Sequence, residues 1–175
     1  DWSSDVCSSD LVANTGALRN LGNNNAWTGS IALGAGGARI NSDSGTFTLS
    51  GGVTGNARPL TAGGAGNITF NTAAIATTTG TFTKDGSGTA TFGFANTYTG
   101  LTTVSAGTLA LATSAAIATG AVTVNGGTLD LGANNDSVGA VTLTSGSITG
   151  SGTLTSTASF TTSSGVISAN LAGAV

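Results

Sequence analysis

The chain has 175 residues, room for one ordinary domain, of which 6% are charged and 5% aromatic. The charge is far under the roughly 25% of an average globular protein. With no His and a single Cys there is no usual zinc or iron site and no Ser/His/Asp or Cys/His nucleophile system. Four Lys and Arg lay no basic stripe along nucleic acid, and no apolar run of about 18 residues spans a membrane as a helix. What remains is a folded chain in which 29 Gly and 32 Thr supply over a third of the residues, a composition of strands and turns rather than of helix interiors.

The first eleven residues differ in character from the other 164. They hold no Gly or Thr, three of the seven Asp, the only cysteine (Cys7) and one of the two Trp. The segment reads as a translated sequencing adapter, so residues 1–11 are set aside and residues 12–175 are the expected folded unit. The formal charge then moves from −3 to zero, with Asp43, Asp85, Asp130 and Asp136 against Arg19, Arg39, Arg58 and Lys84. Both ends are expected to be truncated, because an adapter marks a fragment edge and residues 171–175 stop inside a repeat-like piece.

Along the rest of the chain one element recurs: a Gly, a small residue, then apolar and Thr-like positions in alternation. Copies start at Gly88, Gly107, Gly127, Gly146 and Gly165, spaced by 19 or 20 residues, with less even copies at Gly45 and Gly80. A second strand falls between the main copies, at 121–124 and again at 140–143. Runs of three to five residues with period two are short half-buried strands, and the Asn, Gly and Ser between them suit turns. Residues 113–118 are the one helix candidate, and they are too short to be anything but a loop. A sandwich or barrel would need more large residues across a core about 10 Å thick. Constant spacing instead marks a solenoid whose narrow core fills by stacking like on like. The expected fold is all-β, a right-handed parallel β-helix of about eight turns, roughly 38 Å long at about 4.8 Å per turn.

Residues 84–111 carry a more specific pattern. Lys84, Gly86, Gly88, Asn96, Tyr98, Gly100, Thr102, Val104, Gly107 and Leu109 closely resemble the passenger-associated β-strand repeat of bacterial autotransporters, with Ala90 and Phe92 where that repeat prefers Leu. The resemblance implies a β-helical passenger segment carried across the outer membrane by a C-terminal β-barrel translocator of the same polypeptide. It implies display on the surface of a Gram-negative bacterium, or secretion from it. Residues 150–175 contain only short Thr/Ser turns, so the barrel strands would lie elsewhere.

No residue is expected to be catalytic, cofactor-binding or metal-binding. Asp130 and Asp136 are the only acids close in sequence. Asp130 is expected to point outward between Leu129 and Leu131, and Asp136 to sit in a turn, so the carboxylate pair of a glycosidase is not built. The segment 126–130 lacks the third Gly of a calcium-binding nonapeptide. Lys84 and Asp85 before Gly86 precede no helix, which removes a phosphate loop, and Asn96 and Tyr98 read as structural. Thr-x-Thr triplets at 46–48, 81–83, 89–91, 142–144 and 153–155 would suit an ice-binding array only on one common spacing, which they lack. The expected function is a non-catalytic stalk. The alternatives are an adhesin that binds glycan or host protein, for which Trp27 and Tyr98 are the available aromatics, and, behind it, a polysaccharide-degrading β-helix.

Overall fold

A computed structural model describes residues 17–173, and within them strands and tight corners alternate with no helix. Period-two alternation sets the pattern: in Thr46–Leu49 and in Thr89–Phe92 the Thr are half-buried while the residues between and after them are buried. Such strands are too short to stand alone. They become stable by pairing with the same stretch of the next turn.

The described residues make eight turns. The first three carry three strands each: β1 (Leu18–Asn20), β2 (Asn25–Trp27) and β3 (Ile31–Ala32), then β4 (Ala38–Ser42), β5 (Thr46–Leu49) and β6 (Val53–Thr54), then β7 (Leu60–Gly63), β8 (Asn67–Phe70) and β9 (Ile75–Ala76). The fourth holds β10 (Phe82–Lys84) and β11 (Thr89–Phe92), the fifth β12 (Thr102–Val104) and β13 (Thr108–Leu111). In the sixth a long strand, β14 (Val122–Asp130), runs through the corner before β15 (Asp136–Val138), and the seventh repeats this with β16 (Val141–Thr149) and β17 (Thr153–Ser156). The eighth comprises β18 (Phe160–Thr162), β19 (Val166–Ile167) and β20 (Asn170–Gly173).

Each strand pairs in parallel with its counterpart one turn away, for example Phe82 with Leu60 on one side and Thr102 on the other. The first two faces join through β14 and β16 into one 14-stranded sheet, while the third face consists of β3-β6-β9 and, further along, β15-β17-β20. This is the expected β-solenoid. The core is a set of axial columns, such as Phe47, Ile68, Ala90, Leu109, Leu129 and Ile148, all buried and all in register. Phe70, Phe82, Phe92 and Tyr98 cluster edge-on or tilted, with ring centroids 4.8 to 6.2 Å apart.

The turns shorten along the chain. On the first face Leu18 pairs with Ile40 and Ala38 with Leu60, 22 residues on; Phe82 pairs with Thr102, 20 on; Val141 pairs with Phe160, 19 on. The uneven early copies therefore have a different arrangement from the one expected. Gly45 is followed one turn later by Gly66, whose strand reads Asn-Ile-Thr-Phe, and then by Gly88. The Gly80 copy belongs to the first face, beneath Gly100 and Gly120, because strands of both faces use the letters Gly-Thr-Phe-Thr. The main glycines do line up from turn to turn: a Cβ on Gly66, Gly127 or Gly165 would lie 2.8, 3.0 or 2.6 Å from the carbonyl oxygen of Gly45, Gly107 or Gly146. Glycine is used there because backbone lies directly against backbone. The segment 1–11 falls outside the described residues.

Candidate functional site

The acids that could have formed a catalytic pair are kept apart. Asp130 projects outward from β14 between buried Leu129 and Leu131, as expected, and accepts the Gly132 amide at 2.9 Å. Asp136 does not sit in a solvated turn. It is buried in β15, where Oδ2 accepts the Ile117 amide and Oδ1 the Ser137 amide, each at 2.8 Å. Burial pushes its carboxyl above the ordinary range, against the lowering effect of those amides. One carboxylate thus faces outside the coil and the other lies inside it. Among the described residues no three of His, Cys, Asp and Glu come together.

Four of the remaining charges form a seam along the early turns, while Arg58 donates to the Ala35 carbonyl at 2.8 Å. Arg19 Nε donates to Asp43 at 3.0 Å, and this bond holds the Asp43 carboxyl below its usual range. Asn41 joins Asp43 at 2.7 Å, and Arg39 Nη1 reaches Asp85 at 2.7 Å. The last pair crosses from the second turn to the fourth. It can do so because the intervening position is Gly63, where a Cβ would occupy the space now filled by Asp85 Oδ1 and the Arg39 guanidinium.

Lys84 stands in a core column between Ala62 and Val104, where apolar residues are the rule. It is 2% exposed. Its Nζ donates to the carbonyls of Asp85 at 2.7 Å, Gly86 at 2.9 Å and Ala106 at 3.2 Å, so the ammonium ties its own corner to the next one. Burial lowers its pKa to about 8, opposed by the charge of Asp85 and helped by that of Arg39. Three carbonyls converging on one ammonium satisfy it fully and leave no donor for a phosphate.

On the third face no strand forms between β9 and β15: a few backbone bonds still join the turns, from the Thr97, Asn96 and Ala115 amides to the Ile75, Ala116 and Asn135 carbonyls, and side chains add to them. Asn96 Oδ1 accepts the Ile75 amide at 2.7 Å and Nδ2 donates to the Ala116 carbonyl at 2.7 Å, while Asp136 takes the Ile117 amide from the other side. Residues 116–117 are thereby clamped between the turns before and after. Sequence reasoning missed this role for Asp136, although its 40-residue offset from Asn96 is two turns of 20. Tyr98 is fully buried, with its hydroxyl 2.7 Å from Thr102 Oγ1, and burial raises its pKa despite that bond. Tyr98 is therefore not a surface aromatic. Trp27 is half-buried with its indole nitrogen enclosed, and among the described aromatics Phe94, 46% exposed, is the one that faces solvent. The Thr-x-Thr triplets scatter over three faces: 46–48 and 89–91 on the second, 81–83 and 142–144 on the first, 153–155 on the third.

Lys84, Asn96 and Tyr98 fall within a known repeat, and Asp136 lies just past its end. Residues 82–111 and 113–131 match the family model described as the passenger-associated-transport-repeat. The first match covers the stretch whose resemblance the sequence revealed, and the second adds a further copy. No curated protein and no solved structure matches the chain. Of the ten pattern positions, Lys84, Asn96, Tyr98 and Thr102 make the buried polar bonds, and Val104 and Leu109 fill the core. Gly86, Gly88, Gly100 and Gly107 lie against the backbone of Gly64, Gly66, Gly80 and Gly88 respectively.

Proposed function

We propose that these coils form a non-catalytic stalk segment in the passenger of a bacterial autotransporter. The passenger would be displayed on the cell surface or secreted, and carried by a C-terminal β-barrel of the same polypeptide. The observation that supports this most is the use made of the repeat positions: each one packs the core, makes a buried polar bond or lies against the backbone of a neighbouring turn, and none is left over to meet a ligand. Passage through a narrow pore also suits such a chain. The described residues contain no cysteine to cross-link, and each turn needs only its neighbours to fold.

The reading is tested by incubating the purified protein with a panel of polysaccharides and probing it on a glycan array. A stalk releases no reducing ends and retains no glycan. Reducing-end release abolished by Asp130→Asn would replace the stalk with an enzyme, and retention abolished by Trp27→Ala or Phe94→Ala would replace it with an adhesin.

A further inference from the structure

The asparagines of this solenoid are mostly engaged from one turn to the next. Asn24, Asn67 and Asn135 each present Oδ1 to an amide of the following turn, those of Thr46, Thr89 and Thr153, at 2.8 to 3.0 Å. Asn134 donates to the Leu111 carbonyl at 2.8 Å. Asn125 departs from this pattern. It is exposed at the corner inside β14, and its side chain meets only the Ser145 hydroxyl, at 3.5 Å. The pairing of β14 with β16 loses register on both sides of it.

Asn125 is also the one asparagine in the sequence followed by glycine. Gly126 is exposed, has φ +111° and carries no side chain to shield its amide nitrogen. We propose that Asn125–Gly126 is a site of spontaneous covalent modification, in which the corner converts itself from amide to acid. The Gly126 nitrogen bonds to Asn125 Cγ, the Cγ–Nδ2 bond breaks, and ammonia leaves with the displaced proton. Water then opens the five-membered imide at either carbonyl, giving aspartate or its β-linked isomer. The net change consumes one water and releases one ammonia, and no other reactant enters.

Either product places a carboxylate on a described surface whose formal charges otherwise cancel. The β-linked isomer also adds a backbone atom at the corner through which β14 is continuous, and so strains its pairing with β16. Among the described residues the other exposed asparagines without a side-chain clamp, Asn23 and Asn71, are followed by Asn and Thr, whose side chains crowd the attacking nitrogen.

The folded protein is held in mildly alkaline buffer at body temperature, with a parallel sample in urea, and both are sampled by peptide mapping and by isoaspartyl methyltransferase labelling. Asn125 should convert in the folded sample at least roughly tenfold faster than Asn23 or Asn71, as the missing Cβ at position 126 implies. Asn125→Gln should remove the labelled product. Conversion of Asn125 in urea but no faster than Asn23 in the folded protein would overturn the proposal, as would labelling that persists in Asn125→Gln.

Discussion

Two glycines with almost the same φ offer a direct measure of how tightly the turns are stacked. Gly107 has φ +61° and Gly132 has φ +56°, so alanine at either position meets the same left-handed conformation, a cost of about 1–2 kcal/mol. Their surroundings differ. A Cβ on Gly107 would collide with the Gly88 carbonyl and lie 2.5 Å from the Gly86 carbonyl and 2.8 Å from Lys84 Nζ, whereas one on Gly132 would find nothing closer than 3.6 Å. Forcing a methyl into a filled space costs a further ~1–3 kcal/mol. Gly132→Ala should therefore lose about 1–2 kcal/mol and Gly107→Ala about 2–5 kcal/mol. Urea unfolding followed by far-ultraviolet circular dichroism, with linear extrapolation to water, reads both values. Equal losses in the two variants would refute the claim that glycine is required at Gly107 by contact between turns.

The interior polar groups give two further expected outcomes. Asp136→Leu should lose about 2–4 kcal/mol in the same assay, because the buried Ile117 amide is left without an acceptor, while Asp136→Asn should stay within about 1 kcal/mol of the parent, since Asn96 already fills the equivalent place two turns earlier; similar losses in both would show that the clamp is not a hydrogen bond. Between pH 8 and 10, stability should rise with pH, because the folded state has released the Lys84 proton near pH 8 while the unfolded chain holds it to its ordinary 10.5. Above pH 10 the raised Tyr98 pKa acts in the opposite sense, as the unfolded chain ionises first. Urea midpoints measured across pH 8 to 10 should climb in the parent and not in Lys84→Met, and matching slopes would remove Lys84 as the source.

The repeat was legible because stacking demands the same residue type at the same place in each turn. Leu109, Leu129 and Ile148 announce themselves that way, and so do the glycines from Gly88 onward. The early turns were harder to read. They hold 22 residues rather than 19 or 20, and in the third turn Asn67 stands where Thr is usual, so the copy at Gly66 went unseen. The third face has almost no alternation of its own: β3, β6 and β9 are two residues long, and between β9 and β15 side chains add to a few backbone bonds. A period-two search cannot find links made by Asn96 and Asp136. Lys84 and Tyr98 were legible as motif letters but not as buried groups, since the carbonyls that accept the Lys84 protons include one from a corner 22 residues away.

The decline from 22 residues per turn to 19 means that the coils are not identical modules. Duplicating or excising a coil among the first three leaves the turn length unchanged, whereas the same event further along moves the step at which the turn shortens. Because the columns run unbroken through that step, the residues lost from a turn come from its corners, and a graft of an early coil beside the seventh would have to house its surplus there. Lengthening or trimming such a rod, in evolution or by design, is thus simplest between coils of equal length.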